Sequence, residues 1–97
     1  MKPRWIDDDV DFLLKSMLKL RDRDEILDYF YDIMSVKEIK NLAMRIKIAR
    51  LLGENCSYKE IERSTGISSA TIAKMSKNLN YGSGGLIKVI NRMSRKR

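Results

Sequence analysis

The residues whose types and spacing could do chemistry lie between Ser57 and Leu79, in the stretch SYKEIERSTGISSATIAKMSKNL. At about 100° per residue along a helix, Ala70, Ala73, Lys74 and Lys77 share one face. Ile72, Met75 and Leu79 share the opposite one. Alanine methyls allow close approach to base edges, and one can pack on a thymine methyl. Lysines beside them can neutralise phosphates. The chemistry this pattern offers is recognition of a polyanion by contact and charge.

Bond-making chemistry finds little to work with. The chain has no histidine and one cysteine, Cys56, so the commonest general base and the usual zinc ligands are missing. A lone Cys56 excludes an internal disulfide, suits a reducing cytoplasm, and reads as a small semi-buried hydrophobe. Gly82, Gly84 and Gly85 sit in YGSGGL without the Lys-Ser/Thr ending of a phosphate loop. Asp7, Asp8 and Asp9 could hold a divalent cation. The preferred reading is that they start a helix, where carboxylates suit the positive end of its dipole. No catalytic residue, metal or cofactor is expected, and the chain is not read as an enzyme.

The elements that must position the 57–79 face are two short helices and a tight turn. Ser57 with Glu60 is a capping-box signature, opening a helix through about Ser64. Thr65-Gly66-Ile67 is the turn, with the glycine where positive φ is expected. Ser68 or Ser69 caps a second helix to about Asn78. Ile61, Ile67, Ile72, Met75 and Leu79 would form the core the two helices share. That is the layout of a helix-turn-helix, whose second helix lies in the DNA major groove. The same layout also occurs as a plain αα-corner.

Around the motif the chain reads as helices throughout, an all-α fold of about six. Residues 1–6 form an arm whose Trp5 is expected to pack onto the body. Val10, Leu13, Leu14, Met17 and Leu20 mark an amphipathic helix ending near Arg21. A second begins around Asp22 to Asp24, lined by Ile26, Leu27, Phe30, Ile33 and Met34, with Tyr29 and Tyr31 as packing residues. Ser35 and Glu38 form another capping box, opening a long helix over 35–52. Its second half is apolar nearly all round, through Met44, Ile46, Ile48, Ala49, Leu51 and Leu52. Such a helix must be covered on several sides, more than so short a chain can manage alone, so a homodimer is expected. A glycine-rich connection over 80–85 leads to a final helix over 86–94 and a basic tail.

Charge is unevenly placed. Of 20 Lys/Arg and 13 Asp/Glu, net +7, residues 1–36 hold six basic and nine acidic, net −3. Residues 37–97 hold fourteen and four, net +10. The basic portion is the one carrying the motif, as a polyanion-binding surface requires. No apolar run approaches the roughly 20 residues of a membrane span, and no signal-peptide pattern opens the chain. A cytoplasmic protein without a membrane partner is expected.

From Ser35 to Leu79 the chain resembles the tryptophan repressor family, and within it the branch of small Trp-repressor-related proteins called YerC/YecD. The likeness rests on the capped long helix with Met44-Arg45-Ile46, the Leu51-Leu52 ending, Ser57-Tyr58-Lys59-Glu60-Ile61, and Ala70-Thr71-Ile72. It implies an intertwined all-α homodimer over a single 1–97 domain. Residues 1–34 would be N-terminal dimerisation helices, 35–52 the central helix, 57–79 the helix-turn-helix and 86–94 the C-terminal helix. It implies repression of transcription, with double-stranded DNA as partner. DNA contacts carried over from the family fall on Tyr58, Lys59 and Glu62, then Ser69, Ala70, Ala73 and Ser76.

The ligand pocket departs from the family pattern. Family repressors hold an indole between two arginines, one on the long helix and one on the recognition helix. Arg45 matches the first; Lys74 replaces the second, and Met75 replaces the glycine after it. Lysine lacks the flat guanidinium that stacks on a ring, and methionine fills room the glycine left. Arg45 and Lys74 therefore remain candidate ligand residues for an unidentified effector, while tryptophan is not expected to be the co-repressor. The expected function is a sequence-specific DNA-binding regulator. Two alternatives are a nucleic-acid binder that reads charge alone and a non-catalytic adaptor using the acidic N-terminal helices. Salt dependence separates the first alternative from specific binding, and substitution of Lys74 and Lys77 separates the second.

Overall fold

The computed structural model describes residues 3–94, and every regular element in it is an α-helix. Contacts divide the chain into two units, with the boundary between Ile39 and Lys40.

The first unit holds α1 (Asp8–Met17), α2 (Arg23–Ile33) and the first turn of α3 (Val36–Gly53). Asp7 caps α1, its carboxylate accepting the Val10 N–H at 3.0 Å, so the acidic run serves a helix start. Among the described residues no group of three His, Cys, Asp or Glu could hold a metal. α1 stops at Met17, four residues before the expected end. Lys19 and Leu20 donate to the carbonyls of Ser16 and Met17 at 3.1 and 3.2 Å, three residues back, which tightens and ends the helix. The next residues are committed to starting α2: Asp22 accepts from the Glu25 N–H at 2.9 Å, and Glu25 accepts from the Arg21 N–H at 2.9 Å.

Tyr29 is half-buried, its hydroxyl bonded to Ser16 Oγ. Two expected packing residues do not pack: Trp5 is 68% exposed and Tyr31 66% exposed. Both lie beside short helices with no enclosed core to receive them. Indeed neither α1 nor α2 contains a buried residue, and Phe12 and Leu18 are 72% and 84% exposed.

The second unit holds the remainder of α3, α4 (Tyr58–Thr65), α5 (Ser69–Tyr81) and α6 (Gly85–Ser94). Ser35 and Glu38 exchange the two capping-box bonds that start α3. Its far end is a Schellman turn. Asn55 takes φ 65, its N–H donates to the Leu52 carbonyl at 3.0 Å, and the Cys56 N–H donates to the Leu51 carbonyl at 3.0 Å. Those bonds satisfy carbonyls that a helix end otherwise leaves open, and they bring Cys56 onto the core beside Leu51 and Leu52.

That core is Ile48, Ala49, Ile61, Ile72, Met75, Leu79 and Ile90, drawn from all four helices. Only one side of α3 serves it: Leu42 and Ile46, on the same helix, stay 40% and 42% exposed. Gly53 lets α3 and α6 approach closely, because a Cβ there would stand 3.1 Å from Ile90 Cγ2.

Candidate nucleic-acid interface

Ser57 opens α4 with a reciprocal capping box to Glu60. Hydrogen bonds from the Ser57 backbone and hydroxyl, helped by the nearby Arg63 guanidinium, hold the Glu60 carboxyl below the usual glutamate range. The box places Tyr58 and Lys59 on the exposed first turn. α4 ends one residue past the expected Ser64, because the Gly66 N–H still donates to the Glu62 carbonyl at 2.8 Å; the Thr65 hydroxyl donates to the Ile61 carbonyl at 2.6 Å. The same oxygen accepts the Ile67 N–H at 3.1 Å. Between them Gly66 takes φ 74, a left-handed conformation that costs L-residues about 1–2 kcal/mol.

Of the two candidate caps for α5, Ser68 is the one used, accepting the Thr71 N–H at 3.3 Å. Ser69 is therefore the first helical residue. α5 continues to Tyr81, three residues beyond the expected Asn78. Leu79 still faces the core, and the Asn80 amide bonds back to the Ser76 carbonyl at 3.0 Å. Ile72, Met75 and Leu79 are buried with Ile61, and Ile67 is half-buried, so the inward face is as the spacing predicts. Ala70, Ala73, Lys74 and Lys77 are all exposed on the outward face.

Three expected site residues have more particular settings. Ser76 is half-buried on the flank and receives the Asn80 amide, at 3.4 Å to its hydroxyl. Asn80 itself was not singled out by spacing; its place four residues after Ser76 is the signal that could have found it. Glu62 and Ser69 are brought together across the turn, where Glu62 Oε2 accepts the Ser69 N–H at 3.2 Å. No local pattern announces that bond, since seven residues separate the partners.

Arg45 on α3 and Lys74 on α5 are both exposed. A groove of about 460 Å³ runs between α3 and α6, with Ala43, Ile46, Ile90 and Met93 as its apolar lining and Lys47 and Arg50 as its cations. It includes neither Arg45 nor Lys74. Met75 is in the core at 9% exposure, occupied by packing. Among the described residues no helix is long and apolar enough to cross a membrane.

Comparison with known proteins agrees with this geometry. The model of the Trp repressor protein family matches residues 8–94. An uncharacterised Bacillus subtilis (strain 168) protein, YerC, is 38% identical over 85 residues, covering 88% of this chain and 82% of YerC. The crystal structure of a TrpR-like protein from Eubacterium eligens superposes with a TM-score of 0.84 at 35% identity, covering 94% of both chains. A candidate Trp repressor from Staphylococcus aureus gives a TM-score of 0.83 at 29% identity, over 93% of this chain and 90% of that one.

Proposed function

The chain belongs to the Trp repressor protein family, and on that premise we propose that it is a sequence-specific DNA-binding transcriptional regulator, a repressor. It acts as a homodimer that reads the major groove with α5. The observation that carries this reading is the division of α5 into a buried apolar face and an exposed face of small and cationic residues. A capped helix so divided can lie along a groove with its methyl groups at base edges.

Within this reading Ser69, Ala70 and Ala73 approach the bases, with Ser76 on the flank and Tyr58, Lys59 and Glu62 beside them from α4. Lys74 and Lys77 meet phosphates, which position the protein without reading sequence. The net +10 of residues 37–97 supports attraction to the duplex as a whole.

Dimerisation is supported by apolar surface that one chain leaves in water. Phe12 and Leu14 on α1, Leu18 just past its end, Leu27 and Ile33 on α2, and Ile46 on α3 are each more than two-fifths exposed. Large apolar side chains left exposed in this number mark a surface that association would cover. A second copy also gives DNA binding the two-fold symmetry on which half-site spacing depends.

Tryptophan is not the co-repressor in this reading. Lys74 cannot stack as an arginine does, and Met75 belongs to the core. The test of the function as a whole is fluorescence anisotropy with a selected duplex and a random one across a salt series. A specific regulator prefers the selected duplex at every salt concentration. A charge reader shows equal affinities that fall together as salt rises.

A further inference from the structure

Ser69 is the first residue of α5, so its N–H is one of the four that a helix start leaves without an internal partner. In a DNA-reading helix such an N–H is ordinarily available to a phosphate. Here it is already taken, by Glu62 Oε2 at 3.2 Å. The bond crosses from α4 to α5, and the helix dipole favours a carboxylate at that end. Glu62 is nevertheless exposed, so the carboxylate is held in place at the surface and not enclosed.

The place where it is held matters. The N-terminal residues of a recognition helix are the ones that contact base edges. Ser69 and Ala70, its neighbours there, are small and exposed, leaving room for a base pair to come close. A lysine or arginine at this spot would seek phosphate; a carboxylate is repelled by it. An ionised carboxylate only accepts, at about four lone-pair sites, and the Ser69 amide uses one. What remains can meet only a hydrogen-bond donor. In the major groove guanine presents the acceptors O6 and N7, and thymine presents O4. Adenine sets its amino group beside the acceptor N7, whereas cytosine offers the N4 amino group alone.

We propose that Glu62 is a specificity-determining residue that selects cytosine at the base pair facing the start of α5, accepting from its N4 amino group while the Ser69 amide fixes the carboxylate. The inference rests on the reading of α5 as the major-groove helix. It adds a role that Glu62 plays with its own atoms and not merely as a brace between helices.

The experiment selects binding sites from a randomised duplex library with the full chain, in the wild type and in two variants. Titrations then follow on the best site with each base in turn at the position concerned. Glu62→Gln keeps an oxygen for the Ser69 N–H but adds a donor and removes the charge. Ser69→Pro removes the anchoring N–H at the helical position where proline is best tolerated, and leaves the carboxylate in place. The wild type should enrich cytosine at one position per half-site and lose affinity about tenfold when that base is changed. Glu62→Gln should lose this preference, gaining adenine in its place, while other positions and the thermal midpoint hold. Ser69→Pro should weaken the same preference with Glu62 intact. A Glu62→Gln library identical to the wild type's would overturn the cytosine assignment and leave the DNA-reading function standing. Undiminished preference in Ser69→Pro would overturn the anchoring. A wild type that enriches no site at all would overturn both this inference and the function it rests on.

Discussion

Ser57 and Glu60 hold each other across the first turn of α4. Glu60 Oε1 accepts the Ser57 N–H at 2.7 Å, and Ser57 Oγ accepts the Glu60 N–H at 3.1 Å. Two of the four open donors at the helix start are thereby satisfied. The box also decides where Tyr58 and Lys59 stand, because they occupy the turn it closes. Removing the hydroxyl by Ser57→Ala should cost about 1 kcal/mol, read as a lower urea midpoint, and should weaken DNA binding with it.

The same pair gives the protein a dependence on acid. Hydrogen bonding to Ser57 lowers the Glu60 pKa in the folded chain, below the unfolded value of about 4.3. A depressed carboxylate stabilises fully above the unfolded pKa, and that stabilisation is lost as pH falls through the lower folded value. Urea unfolding between pH 6 and pH 2.5 should show the wild type losing its advantage over Glu60→Gln only below about pH 4. Parallel curves across the whole range would show that the box does not discriminate the charged form.

The exposed apolar side chains of α1 and α2 lead to a third expectation. Light scattering at micromolar concentration should give twice the chain mass, and the thermal midpoint should rise with protein concentration, as it must when assembly is linked to folding. A folded single chain at that concentration, with a midpoint independent of dilution, would remove the dimer from the reading.

Free tryptophan should change nothing. Calorimetric titration should show no saturable binding up to the millimolar range, which is weaker than about 4 kcal/mol. DNA affinity should be the same with and without it. Met75 makes this hard to reverse: at 9% exposure in the core, its replacement by alanine should cost about 2–5 kcal/mol. A micromolar tryptophan isotherm would show that the indole slot survives Lys74 and Met75.

Short-range chemistry explains which parts of the molecule the sequence discloses. Both serine–glutamate boxes, the Gly66 turn, and the inward face of Ile61, Ile72, Met75 and Leu79 follow from spacing, because each is settled within about four residues. So does the outward face of α5, as the complement of the buried one. The order of six helices follows from periodicity and caps as well; the family likeness added the expectation of an intertwined dimer and of the motif's role. Features settled by distant or competing partners were not legible. The Glu62–Ser69 bond spans seven residues. The end of α1 depends on how Asp22 and Glu25 start α2. Trp5 and Tyr31 stay in solvent because an apolar residue type states a preference for burial without stating what will bury it.

The proposed function divides the outward face of α5 into reading and anchoring residues, and two substitutions test that division. Ala73 presents a methyl group on an exposed face, so it can report a thymine by contact and has no room for more when a base pair lies against it. Ala73→Glu adds bulk and a charge that phosphates repel, and should abolish preference for the selected site. Stability should hold within about 0.5 kcal/mol, as for other exposed substitutions. Lys77, one turn further and also exposed, offers a charge that reads nothing. Lys77→Ala should weaken the selected and the random duplex alike, and reduce the salt slope by about one unit. Anisotropy titrations of both duplexes across a salt series distinguish the two patterns directly. Site preference surviving Ala73→Glu would mean that α5 is not the reader. The acidic N-terminal helices would then become the surface of interest, with the protein acting as an adaptor.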